Sequence, residues 1–375
     1  MTINLLIDNI DPIDGPKPNL YGIRTIPTGL SGQIKSSFLN ADEKGWFYPV
    51  CVSSIYYASA FFNPPYLREL PPKVFKGLKE NRGWILFSIF EPMSESMIEH
   101  IIVAIDSSKI LKRVIILCLH NVNHPNFIQF NAHQGEKNYF HNSWDRVDES
   151  LVPKKDIPQS DVAHLPKKHF LLLLQTYYEN PHRMLFLSLF EKAKLLDSSI
   201  VSVYNYAKDY NLALDRQYIY LDVPSKVSDS MSFTSNEKVY NNIDIKDGMN
   251  NSCVNIVAEG DYTLNNSLYF TDKTLRNFVH KKPFILVGQP GQLEYIKQQG
   301  YKTFSSLFDE SYDLEHDITK RFTMIIRQIV NLSKMSISSL EKKIAELDDI
   351  LEFNKNLYYE NLSKVNSRLE SLSDA

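Results

Sequence analysis

The run Arg113-Val-Ile-Ile-Leu-Cys-Leu119 constrains the fold more than any other part of the chain. It has the length of a strand and is apolar without alternation. Such a strand must be covered on both faces, which is the situation in a parallel sheet sandwiched between helices. Trp84-Ile-Leu-Phe-Ser-Ile-Phe90 comes before it, rich in β-formers and closed by Glu91-Pro92, where proline ends a ladder. Residues 97–105 between the two carry helical spacing. Strand, helix and strand in that order predict a right-handed βαβ unit and a Rossmann-like half, with residues 3–7 as its first strand.

A second α/β series follows. Phe170-Leu-Leu-Leu-Leu-Gln175, Ser199-Ile-Val-Ser-Val203, Cys253-Val-Asn-Ile-Val257 and Pro283-Phe-Ile-Leu-Val287 read as strands, and residues 183–195 as a helix. With 375 residues there is chain enough for two buried cores. The polar, proline-broken stretch 121–168 reads as a long loop, so the expected division is 1–164, 165–334 and a helical tail, 335–375. Residues 224–251, rich in Ser, Asn and Asp, read as a long insertion or mobile loop. In the tail, Leu340, Ile344, Leu347, Leu351, Asn354, Tyr358, Leu362, Val365 and Leu369 follow mostly 4-3 spacing. That stripe is either a coiled-coil seam, through which the chain could self-associate, or a helix laid across the body.

Composition removes several functions. A net charge of −3 gives no general attraction to nucleic acid or anionic membrane. The three cysteines, Cys51, Cys118 and Cys253, lie far apart and without Cys-x-x-Cys spacing, which fits a reducing compartment better than a disulfide framework or a zinc cluster. The start, MTINLLIDNIDP, lacks the basic and apolar regions of a signal peptide, and no run reaches the ~18 apolar residues of a membrane span. A cytoplasmic location is therefore expected. His120, His124 and His133 lack zinc-like spacing, and no metal site is expected. Phosphate-loop, nucleophile-elbow and metalloprotease motifs are all absent from the sequence.

The chemistry concentrates in residues 269–291. A polar turn leads to an amphipathic helix that starts at Asp272-Lys273, then a buried strand, then Gly288-Gln-Pro-Gly291 opening another helix. Lysine offers a point charge to phosphate, the helix N-terminus adds partial positive charge, and the neighbouring carboxylate can accept from hydroxyls. Equally, Thr271 and Asp272 suit any ordinary helix start. Gly288 and Gly291 are expected to permit close backbone approach or a sharp turn. Arg183, at a strand-to-helix turn, is suited to a bidentate grip on a diphosphate, and His182 could orient a base or phosphate. Glu259 follows a strand at the carboxyl end, where ligands gather in such sheets.

Phe270-Thr-Asp-Lys-Thr, His280-Lys-Lys-Pro-Phe-Ile-Leu-Val-Gly, Gly291-Gln-Leu-Glu-Tyr-Ile, Gly300-Tyr-Lys-Thr-Phe304 and Phe308-Asp-Glu-Ser-Tyr-Asp313 together resemble a C-terminal signature of glycosyltransferase-like proteins of large bacteriophages and their bacterial relatives. The first element is similar to the Thr-Glu-Lys segment of fucosyltransferases, which fold as two Rossmann-like domains, the GT-B architecture. Residues 168–183 resemble the opening of the family's donor domain. The resemblance implies metal-independent transfer of a sugar from a nucleotide-sugar donor, needing no other cofactor, to a hydroxyl on a glycan, a protein or a modified nucleic-acid base. It implies donor-binding roles for His182, Arg183, Glu259, Asp272, Lys273 and Gly288, and a bacterial or phage-infected cytoplasm. For an inverting reaction the general base would come from the acceptor domain, with Glu91 the best placed carboxylate and Asp8 a weaker one.

Two departures stand out: the family's Glu is Asp272 here, and its Asn-Arg after the strand is Gln175-Thr176. With the heptad tail, they motivate a second reading, a non-catalytic interaction or assembly protein on a degenerate transferase scaffold. In the Asp309-Glu-Ser-Tyr-Asp313 block, Ser311 or Asp313 is expected to cap the following helix rather than to act in catalysis.

Overall fold

The computed structural model describes residues 3–6, 34–37, 44–52, 62, 70, 72–89, 93–129, 161–174, 181–203, 239–240, 243–259 and 268–373. Glu91, Asp8, His133 and the Gln175-Thr176 pair lie outside them. The chain divides into two compact units. The first comprises Met1–Lys154, Asn265–Asp272 and Tyr359–Ala375, and the second Lys155–Leu264 and Lys273–Tyr358. Each is built on one parallel sheet, so the chain is of the expected α/β class, two Rossmann-like units with a helical C-terminal tail.

In the first unit the strands are β1 (Ile3–Leu6), β2 (Ile34–Ser37), β3 (Trp46–Val52), β4 (Gly83–Ile89), β5 (Val114–Cys118) and β6 (Phe127–Gln129). They run in the order β2-β1-β3-β4-β5-β6, every neighbouring pair parallel. Helices α1 (Pro72–Lys79) and α2 (Glu95–Ser107) belong to this unit. Ser94 caps α2, its side chain accepting from the Met97 amide. The central strands alternate between two covered faces. Trp46, Tyr48, Ile85, Phe87, Val114, Ile116 and Cys118 pack with Val74, Ile101 and Ile105. Phe47, Leu86, Ile115 and Leu117 pack with Val365 and Leu369 from the C-terminus.

Strand β3 went unread in the sequence because Pro49 interrupts it, and a proline argues against an inner strand. Among the described residues, β1 meets β3 at Trp46 and Phe47, ahead of Pro49. The stretch 121–168, read as loop, contains β6, which adds a short edge strand beside β5.

The second unit holds β7 (Lys168–Leu174), helix α3 (Pro181–Lys192), β8 (Ser199–Val203), β9 (Val239–Tyr240), α4 (Ile245–Asn250), β10 (Ser252–Ala258), α5 (Asp272–Val279), β11 (Phe284–Val287), α6 (Gln292–Gln298) and α7 (Ile318–Ser333). Its sheet runs β11-β10-β7-β8-β9, all parallel. Counted from the far edge, that is the 3-2-1-4-5 order of mononucleotide-binding units, with the order reversing between β7 and β10. The expectation of an unstructured insertion at 224–251 is corrected in part, since β9 and α4 fall within it. Asp244 caps α4 by accepting from the Lys246 and Asp247 amides.

The tail forms α8 (Ile337–Ala345) and α9 (Asp348–Ser373). Its stripe is used within this chain. Leu340, Leu347, Leu351, Tyr358, Val365 and Leu369 are buried, the last two in the first unit's core. Asn354, the polar member, is fully buried because its amide matches backbone. It accepts from the Lys302 amide and donates to the Lys302 carbonyl, both at 2.8 Å. Of the two readings of the stripe, the helix laid on the chain's own body is the one found. No described helix is long and apolar enough to cross a membrane.

Candidate functional site

The reversal between β7 and β10 is where a doubly wound sheet opens a crevice at its carboxyl edge. Three of the residues singled out in the sequence meet there. β10 ends at Ala258, so its last carbonyls run out of strand partners. His182 and Arg183, in the first turn of α3, supply those partners. Arg183 donates from Nε and an Nη to the Glu259 carbonyl (3.2 and 3.0 Å) and from an Nη to the Ala258 carbonyl (3.1 Å). His182 Nε2 lies 3.0 Å from the Glu259 carbonyl. Both side chains are buried, each only 1% exposed. Burial and the neighbouring Arg183 charge push the His182 ring down to about 3, so it is neutral at pH 7. Its hydrogen bond to a carbonyl is then a ring N–H donating.

Glu259 is itself fully buried. Its amide donates to the Val287 carbonyl (3.1 Å), while Thr274 of α5 donates from Oγ1 to its Oε1 (2.5 Å). Thus the end of β10 is joined to α3 through the Glu259 backbone and to α5 through its side chain. One turn further along α5, Asn277 accepts from the Asn255 amide group, inside β10, and donates to the Lys273 carbonyl (2.7 Å). Thr274 and Asn277 were not singled out in the sequence. Their signal was available: they are polar residues beside Leu275 and Phe278, on a face that an amphipathic helix should bury.

Lys273 and Arg276 reach a small pocket on this sheet, shared with Leu171, Leu173 and Asn277. Arg276 is buried and Lys273 half-buried. Asp272 opens α5 as the acidic residue of its first turn and is also half-buried. The site therefore divides by burial. His182, Arg183 and Glu259 form a sealed floor bonded to the chain itself, whereas Asp272 and Lys273 stand at the more open start of α5.

Gly288 follows β11 in close contact: a Cβ there would lie 1.8 Å from Gln292 Oε1. Gly291 turns the chain with φ +80° immediately before α6. The loop between them is held by Arg321 of α7, fully buried, which donates to the carbonyls of Gly288 (2.9 Å), Gln289 (2.9 Å) and Tyr312. Its partner is Asp313, 3.2 Å away. The Asp313 carboxylate also accepts from the Leu293 and Glu294 amides (both 3.1 Å). This corrects the expected capping: Asp313 caps α6, which precedes it in the chain, and α7 is capped by Asp317. Glu310 of the same block accepts from Thr303 Oγ1 (2.8 Å) and the Phe304 amide (2.7 Å). The Asp-Glu-Ser-Tyr-Asp block is thus a clamp that shapes the glycine loop. Arg321 had no sequence signal beyond being a lone arginine on an apolar helix face.

Among the described residues, no three His, Cys, Asp or Glu side chains gather where they could hold a metal ion.

The fold and site define an α/β chain with a mononucleotide-type parallel sheet and a basic, helix-started pocket at its order reversal. No protein-family model matches the sequence, and no curated protein does. Solved structures give weak likenesses. A trehalose-phosphate synthase of the UDP-forming type from Burkholderia xenovorans superposes with TM-score 0.44 at 9% identity, covering 90% of this chain and 75% of that one. The apo form of OtsA gives 0.41 at 11% identity, covering 88% and 73%. The glycosyltransferase of kitacinnamycin gives 0.39 at 10% identity, covering 98% of both.

Proposed function

We propose that the chain is a glycosyltransferase that moves a sugar from a nucleotide-sugar donor to a hydroxyl acceptor without a metal. One observation carries this reading. The donor-like segment of residues 269–288 supplies α5, and α5 is bonded through Thr274 to Glu259 at the order reversal of a mononucleotide-type sheet. In the proposed mechanism Lys273 and the N-terminus of α5 hold the donor diphosphate and take up charge as the glycosidic bond breaks. Asp272 accepts from donor hydroxyls. His182 and Arg183 hold the β10 carbonyls, and Glu259 holds α5, so that Lys273 is presented at one fixed place. Gly288 lets the loop before α6 close against Gln292. Glu91, which follows β4 in the chain, is assigned the acceptor proton. The acceptor belongs to one of the classes the sequence resemblance implies.

The shorter carboxylate at position 272 gives a direct test. Incubated with a panel of nucleotide sugars in EDTA, the chain should release nucleoside diphosphate from one of them, water taking the sugar in place of the acceptor. Asp272→Glu, which restores the family's residue, should raise that release by up to roughly tenfold, about 1.4 kcal/mol in the barrier. No release from any donor, by either protein, would overturn the reading.

A further inference from the structure

His120 stands apart from the site described above, yet it touches the chain that leads into it. It lies two residues beyond β5, at that strand's carboxyl end, and is 4% exposed. Its Nε2 accepts from the Met93 amide at 2.7 Å. Since Nε2 is the acceptor, the ring proton is on Nδ1, and the ring's remaining hydrogen bond is to the Leu268 carbonyl. The Tyr269 ring packs edge-on against the imidazole, centroids 5.9 Å apart. Tyr269 and Phe270 are buried beside it. One neutral imidazole therefore joins the residue before the α2 cap to the backbone four residues ahead of Asp272, where α5 starts. Residues 265–272 belong to the first unit and α5 from Lys273 onward to the second, so this backbone is where the chain passes from one unit to the next.

We infer that His120 is a positioning residue: by donating to the Leu268 carbonyl it fixes the backbone that enters α5, and with it the Asp272-Lys273 pair. This rests on the donor role proposed for that pair. The reason is geometric. Asp272 and Lys273 act on a ligand only if the first turn of α5 starts from one place, and small displacements of a binding group are costly. Thr274 and Asn277 hold α5 to Glu259 and to β10; the Leu268 carbonyl is where its leading segment is held.

The two ring nitrogens can be tested separately, because an Asn amide sits where Nδ1 does and a Gln carbonyl oxygen where Nε2 does. His120→Asn keeps the donor to Leu268 and drops the Met93 bond; His120→Gln does the reverse. Amide exchange is followed in residues 268–273, with α6 and α7 as internal references for intact folding. Exchange in that segment should quicken at least tenfold in His120→Gln and stay near wild type in His120→Asn. The dissociation constant for the preferred nucleoside diphosphate should rise at least tenfold in His120→Gln alone. Equal exchange in the two variants would overturn the latch. Separated exchange with equal donor binding would overturn the positioning role. A wild-type chain that binds no nucleoside diphosphate would instead defeat the donor reading, with exchange still judging the latch independently.

Discussion

Arg321→Met should destabilise the second unit by about 3–5 kcal/mol, as expected when one partner of a buried ion pair is removed. The guanidinium is fully buried and bonds the carbonyls of Gly288, Gln289 and Tyr312 as well as Asp313. Methionine fills much of the volume but returns none of these bonds. The carbonyls lose a donor, and the Asp313 carboxylate keeps only the Leu293 and Glu294 amides. At roughly 2–4 °C per kcal/mol for a unit of this size, the melting temperature should fall by about 10 °C. A double-mutant cycle with Asp313→Asn should show strong coupling, because the two side chains share one network. A loss below about 1 kcal/mol would mean that the clamp on the glycine loop is not a structural necessity.

The second large effect is on acid stability. Two buried histidines are held neutral by the fold: burial pushes His120 down to about 4, and burial with the Arg183 charge pushes His182 to about 3. Both lie below the unfolded value of about 6.5. Between about pH 6.5 and the folded values, the unfolded chain binds protons that the folded chain refuses. Stability therefore falls as pH falls through this window, and the loss levels off only near pH 4 for His120 and pH 3 for His182. By pH 5 each ring should have cost about 2 kcal/mol relative to pH 7. Denaturant melts at half-unit steps from pH 7 to 5 would measure the slope. Replacing either histidine with Asn should reduce that slope by about 1 kcal/mol per pH unit averaged over pH 7 to 5, whatever it does to stability at pH 7. An unchanged slope would mean that the ring takes up its proton as readily in the folded chain as in the unfolded one. Asp309, whose carboxyl is held below its usual range by bonds to Ser311, adds a loss of its own only below about pH 5.

Legibility in the sequence followed burial. Strands covered on both faces announce themselves as continuous apolar runs, and β5, β7, β8, β10 and β11 all fell where such runs predicted. What stayed hidden lacked that mark. β3 carries a proline in its middle, while β6 and β9 are only three and two residues long and are set in loop-like sequence. The tail's 4-3 stripe was plain, but spacing cannot say whether an apolar stripe meets another chain or its own. The choice rests on tertiary fit, such as Asn354 finding both backbone groups of Lys302. At the site, residue types were legible and their burial was not. Arg183 reads as a phosphate ligand because guanidinium suits phosphate; equally suited to carbonyls at a strand end, it is found bonded to Ala258 and Glu259. That turns attention to Lys273 as the group through which a donor would be held.

Lys273 is accordingly where the account is most directly tested. Thermal melts would be recorded in EDTA against a panel of nucleoside diphosphates and nucleotide sugars, for the wild-type chain and for Lys273→Ala. Ligands with one base should raise the wild-type melting temperature by several degrees, with about 2.7 kcal/mol of stabilisation at about 100 times Kd, and Lys273→Ala should lose the shift. No shift with any nucleotide, or an equal shift in both proteins, would contradict it.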